Sequence, residues 1–118
     1  MSRTVLASEN LTPEALDAIN GYHGQVVQEV ANTVSAHKVV VVGMAMNPFV
    51  KKARKALDDA GIAYKYLEFG GYASMWKPRL AIKLWSGWPT YPQVFVDGKL
   101  VGGFKETNAA LKAGKITK

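Results

Sequence analysis

Trp88-Pro89-Thr90-Tyr91-Pro92-Gln93-Val94-Phe95-Val96-Asp97-Gly98-Lys99-Leu100-Val101-Gly102-Gly103 is the stretch whose reading decides the fold. Asp97-Gly98 sits between two apolar runs and is the strongest hairpin signal in the chain, because a two-residue type I′ turn needs positive φ at both positions. The runs on either side are therefore antiparallel strands, and Gly102-Gly103 ends the second. Ala109, Ala110 and Leu111 mark a final helix, which Gly114 stops.

Upstream, Trp76, Leu80, Leu84 and Trp85 recur at helical offsets across residues 73–86, with Arg79 and Lys83 among them, and Gly87-Trp88-Pro89 breaks that helix. Core or interface packing is the expectation for Trp76 and Trp85. Ile62 to Phe69 alternates as a strand, closed by Gly70-Gly71. Before it, Asn47-Pro48 opens a helix by cap and first-turn proline. Val50, Ala53, Leu57 and Ala60 form its inner face, and Gly61 ends it. Lys38-Val39-Val40-Val41-Val42-Gly43 is short, β-branched and apolar on both faces, the pattern of a central buried strand. Thr12-Pro13 starts a helical segment that runs to about His37, interrupted by Gly21 and Gly24, so two helices or one bent helix are expected.

The order is helix, strand, helix, strand, helix, hairpin, helix. The helical crossover makes the first two strands parallel with a right-handed connection. The expectation is an α/β protein: a mixed four-stranded sheet flanked by helices, with residues 1–37 a helical extension and residues 38–118 the main domain.

The chain of 118 residues is 48% apolar, 20% charged and free of cysteine. It should bury roughly two-thirds of its unfolded surface as one domain. No thiol means no disulfide, no thiolate metal site and no Cys nucleophile. Two histidines fourteen residues apart give no metal motif and no catalytic pair. No apolar run approaches membrane-spanning length. Only Val5-Leu6-Ala7 is apolar near the start, too little for a signal peptide. A soluble cytoplasmic domain is expected. Charge is uneven: residues 1–37 set Arg3 against Glu9, Glu14, Asp17 and Glu29, a net of −3, and the remainder carries +9. That split fits intramolecular complementarity, attraction of an anion, or a solvated basic surface.

The segment from Lys38 to Gly114 resembles a glutaredoxin. The carrying residues are Trp88-Pro89-Thr90-x-Pro92 and Gly102-Gly103, similar to the monothiol branch. Val39–Gly43 followed by Asn47-Pro48-Phe49-Val50-Lys51-Lys52 is similar to the strand and helix that frame the Cys-Pro-Tyr-Cys site, and Arg79-x-x-Ile82-Lys83 to the family stretch that precedes Trp-Pro-Thr. The resemblance implies a thioredoxin-like fold.

The departure is chemical. Asn47 stands where the family places its nucleophilic Cys, and Val50 where it places the second. A glutaredoxin needs a thiolate whose pKa is lowered at a helix N-terminus. An amide has no thiolate form and makes no mixed disulfide. It offers no ligand to the [2Fe–2S] cluster of the monothiol branch either. No catalytic residue and no metal site are therefore expected.

The resemblance implies a glutathione groove built from Asn47, Arg79, Tyr91, Pro92, Gly102 and Gly103. Tyr91 would offer its backbone to the ligand before a cis Pro92, or the cis proline simply shapes the start of the strand. Arg79 would hold a carboxylate in its fork, or is a solvated helix arginine. Gly102-Gly103 would bring N–H groups to the γ-glutamyl carboxylate, or serve a turn with positive φ. Met44 replaces the family Lys before the loop, and Lys105 replaces an Asp after Gly-Gly. Glutathione is thus expected as a weak ligand at most, with no cofactor required.

The expected function is a binding module without thiol redox catalysis, for glutathione-like thiols, peptides or a protein partner. The alternatives are a glutathione-dependent non-thiol transferase or lyase, and a structural partner domain docking through its N-terminal helices. A homodimer is within this reading; nucleic acid and membrane are not expected partners. The Lys51, Lys52, Arg54 and Lys55 cluster fits the basic face of ordinary glutaredoxins.

Overall fold

The computed structural model describes residues 3–118. Val39–Gly43 forms β1, Lys65–Glu68 forms β2, and Gln93–Val96 and Lys99–Gly102 form β3 and β4. The sheet order is β2-β1-β3-β4. β1 runs parallel to β2, antiparallel to β3, and β3 antiparallel to β4. The helices are α1 (Pro13–Gly21), α2 (Gly24–Ala36), α3 (Pro48–Asp59), α4 (Trp76–Ser86) and α5 (Phe104–Lys112).

β1 shows why the sheet is two-sided. Val40 and Val42 face one cluster, with Val30 and Val34 of α2, Ile82 of α4 and Phe95. Val39 and Val41 face the other, with Leu57 of α3, Ile62, Val94 and Ile116. Burying each such aliphatic side chain is worth about 1.5–3 kcal/mol, so a strand apolar on both faces can lie only in the sheet interior. Val30 is wholly buried, so α2 belongs to the same core as β1.

The local signals act where they were read. The Thr12 hydroxyl accepts from the Ala15 amide at 3.1 Å, and Pro13 occupies the first turn. Gly21 and Gly24 separate two helices, with His23 between them at φ 47°. Asp97 and Gly98 take φ of 51° and 79°, as a type I′ turn requires. The Tyr91–Pro92 bond is cis.

Four expectations are corrected. The strand read from Ile62 to Phe69 holds only at Lys65–Glu68, because residues 62–64 form an irregular connection after the turn that ends α3. The helix read from residue 73 begins at Trp76. Ala60 is exposed, since α3 ends one residue earlier. Trp76 is 58% exposed, Leu80 38%, Leu84 64% and Trp85 38%. Instead α4 buries Arg79, Ala81 and Ile82, so the apolar offsets Trp76, Leu80 and Leu84 turn away from the sheet. Trp85 keeps one edge on the core, its ring 5.7 Å from that of Phe95.

Among the described residues the ion pair is Lys55–Asp59, within α3. The acidic N-terminal segment therefore forms no ion pair with the basic body. No helix is long and apolar enough to cross a membrane among them.

Candidate functional site

β1 delivers the chain into Met44-Ala45-Met46, which is tied to the far loop by the Ala45 amide donating to the Gly70 carbonyl at 2.7 Å. Met46 takes φ 65° and is exposed. Asn47 follows as the cap of α3. Its Oδ1 accepts from the Phe49 amide at 2.9 Å and from the Val50 amide at 3.1 Å. A helix start leaves its first amides without partners, and a side-chain oxygen is the ordinary solution. The amide at position 47 thus occupies the N–H groups that would otherwise depress a thiol pKa there. Its donor set lacks the thiolate that an iron–sulfur cluster requires, so that group does not fit this site.

Pro92 and Gly103 lie together: the Pro92 carbonyl is 3.6 Å from where a Cβ on Gly103 would stand, and the Trp88 indole nitrogen 3.7 Å from it. Gly102 takes φ 130° and is crowded by Glu106 and Trp88, so a Cβ there would clash. Among the described residues, the Tyr91 main chain makes no backbone hydrogen bond. Its phenol donates to the Arg79 carbonyl at 2.6 Å, and burial pushes that phenol well above the ordinary tyrosine pKa.

Arg79 is not a solvated helix arginine. It is 7% exposed, and its Nη1 donates to the Phe69 carbonyl at 2.8 Å and to the Ser74 carbonyl at 2.5 Å. Through Nη1 the guanidinium stitches the turn after β2 to α4. The helix periodicity carried no sign of this, because both acceptors belong to a turn ahead of the helix.

Glu106 is a site residue that the sequence reading missed. Its Oε1 accepts from the Gly103 amide at 3.0 Å. That amide is one of the N–H groups expected for a ligand carboxylate, and the protein's own carboxylate holds it. The signal was present as Gly103-x-x-Glu106, the cap-and-third-residue spacing of a capping box.

Among the described residues, three buried polar side-chain atoms have no hydrogen-bond partner: Trp88 Nε1, Gln93 Oε1 and Thr107 Oγ1. The Gln93 amide nitrogen donates to the Trp88 carbonyl at 3.1 Å, and the Thr107 amide to the Gly103 carbonyl at 3.0 Å. Trp88 precedes β3, Gln93 opens it, and Thr107 lies in the first turn of α5.

Beyond the groove, the Lys52 ammonium lies 5.3 Å from the Phe49 ring centroid and 6.0 Å from that of Phe104. The Arg54 guanidinium stacks 3.9 Å from the Tyr66 centroid, and its Nε donates to the Tyr64 hydroxyl at 3.3 Å.

The Glutaredoxin family model matches residues 39–101, which spans β1 through most of β4. The chain belongs to the glutaredoxin family. A glutaredoxin-like protein of Dictyostelium discoideum is 52% identical to this glutaredoxin over 98 residues, covering 83% of this chain and 80% of that one. The crystal structure of oxidized glutaredoxin 2 from Chlamydomonas reinhardtii superposes with a TM-score of 0.67 at 28% identity, over 78% of this chain and 87% of that one. A mutated buckwheat glutaredoxin gives a TM-score of 0.72 at 23% identity, over 81% and 87%, and speaks for the fold alone. The thioredoxin-like fold of this glutaredoxin, with its mixed four-stranded sheet, agrees with these neighbours.

Proposed function

We propose that this glutaredoxin is a binding module without thiol redox catalysis, and that its groove takes an extended segment of a protein partner. One observation carries the reading. The residue at the nucleophile position is engaged as a helix cap, while the Tyr91 main chain beside the cis proline has no backbone partner among the described residues.

The surroundings favour a peptide over glutathione. Met46, Tyr72 and Met75 are large exposed side chains on the loops after β1 and β2, and Phe49 is exposed in the first turn of α3. Gly71 lies against Ala45, which brings the two loops together. Exposed methionine and aromatic side chains suit a surface that adapts to a partner's apolar residues. Glutathione instead needs charged anchors. Arg79 is turned inward, the Gly103 amide is held by Glu106, Met44 is uncharged and Lys105 is basic. Each missing charge-assisted contact costs about 1.5–3 kcal/mol. Reduced glutathione is therefore the weaker occupant of the same groove.

Backbone amide shifts in labelled protein test this, with reduced glutathione and peptides selected by display on the protein as probes. Selected peptides should move the Met46, Tyr91 and Gly103 signals at lower concentration than glutathione does. A standard glutathione–disulfide exchange assay should stay blank. Turnover in that assay, or silence of all three residues with every probe, overturns the proposal.

A further inference from the structure

α3 and α5 pack on the same side of the sheet, through Leu57, Ala110 and Leu111, and a groove of about 520 Å³ opens between them. Its floor is apolar: Ala56, Phe104 and Leu111 line it, each half-buried. Its rims are basic. Lys52 and Lys55 line it from α3 and Lys112 from α5, and all three are exposed. Lys105 is exposed as well and stands two turns before Lys112, on the same line of the helix. The Lys52 ammonium lies over the Phe104 ring, 6.0 Å from its centroid, and joins the two rims at one end. The neighbouring acids are engaged elsewhere. Asp59 pairs with Lys55 at 3.0 Å, Glu106 accepts from the Gly103 amide, and Asp58 acts on Arg54. Among the described residues, Lys52, Lys105 and Lys112 have no acidic partner.

We propose that this groove docks an acidic amphipathic helix of a partner protein. Three unpaired cations around one groove set the sign of what enters, since each favours a carboxylate opposite it. The floor sets the rest. Lysine rims alone would take any polyanion, but covering Ala56 and Leu111 rewards an apolar side chain. A helix that lays one apolar line in the groove, with Glu or Asp on either flank, meets both demands. From Lys52 to Asp59, α3 rises about 10 Å, so the groove takes roughly two turns of such a helix. A nucleic acid fits less well, because a single strand needs aromatic faces open to stacking, and Lys52 covers that of Phe104. This surface is distinct from the groove at Asn47 and Tyr91, and does not rest on what binds there.

Amide-shift titration of the labelled full chain tests it with four probes. The first is a helical peptide in which Leu recurs every third or fourth position between Glu residues. The others are the same peptide with Gln for Glu, polyglutamate, and single-stranded oligothymidine. The acidic peptide should move the Ala56, Asn108 and Leu111 signals, and should bind about tenfold more tightly than any other probe. Lys52→Glu and Lys112→Glu should each weaken it about tenfold. Lys77→Glu and Lys99→Glu make the same charge change at exposed positions elsewhere, and should leave affinity within about twofold. All four variants should keep the parental circular dichroism. Equal weakening by all four would reduce the effect to net charge and overturn the proposal. Polyglutamate as tight as the acidic peptide would show the floor to be idle, and oligothymidine as tight would make this a nucleic-acid surface; either overturns it. Silence of Ala56, Asn108 and Leu111 with every probe does the same. Shifts confined to Met46, Tyr91 and Gly103 would assign the peptide to the other groove and overturn this docking site alone.

Discussion

The Glu106 carboxylate accepts the Gly103 amide at 3.0 Å, so the first turn of α5 is closed by the protein's own anion. Replacing it with alanine leaves that amide without a partner and removes a favourable charge near a helix N-terminus. Glu106→Ala should lower unfolding free energy by about 1 kcal/mol, and Glu106→Gln by less. Guanidinium titrations measure both. If the carboxylate also competes with ligand anions, Glu106→Gln should bind reduced glutathione more tightly than the parent. Equal affinity would mean that Glu106 matters for stability alone.

Arg79 should behave as a structural residue. Its Nη1 satisfies the Phe69 and Ser74 carbonyls together, a double task that a lysine ammonium cannot copy with the same planar geometry. Arg79→Lys should cost about 1.5–3 kcal/mol. Amide exchange across residues 69–75 should accelerate while β1 and β3 stay protected. A variant with parental stability but weakened peptide binding would assign Arg79 to the ligand instead.

Asn47 is a cap first. Asn47→Ala should destabilise by about 1 kcal/mol, and Asn47→Asp should recover that loss because an anion suits the start of a helix. Asn47→Cys is the informative change. A thiol at this helix start should ionise below the ordinary cysteine value of about 8.5. The pH profile of iodoacetamide alkylation reads it directly. Alkylation following an unperturbed thiol would show that the α3 N-terminus no longer supplies that field.

Alkaline pH should loosen the β2 side of the fold. Burial, and then the hydrogen bond to Glu68, raises the Tyr66 phenol to about 12. A tyrosine in the unfolded chain titrates near 10. Between these values the folded state holds the proton more tightly, so stability is intact below about pH 10 and falls as pH rises toward 12. Tyr91 is raised in the same direction by burial. Denaturant midpoints measured from neutral to strongly alkaline pH should show the decline, and Tyr66→Phe should flatten part of it. An identical slope in that variant would place the titration elsewhere.

The sequence by itself determined the order of elements, the caps at Thr12 and Asn47, the I′ turn at Asp97-Gly98, the two-faced β1 and the loss of the thiol. These follow from properties carried within a few residues: allowed φ, a side-chain oxygen one turn from an orphan amide, alternation along a strand. Tertiary structure alone decided where Arg79 points and which side of α4 meets water. The Arg79 acceptors lie in a separate turn, and the period of a helix gives the spacing of its apolar line but not its direction. A stripe such as Trp76, Leu80 and Leu84 is buried only if another surface lies opposite it. Here the sheet takes Arg79, Ala81 and Ile82, since the turn after β2 supplies the carbonyls that make a buried guanidinium tolerable.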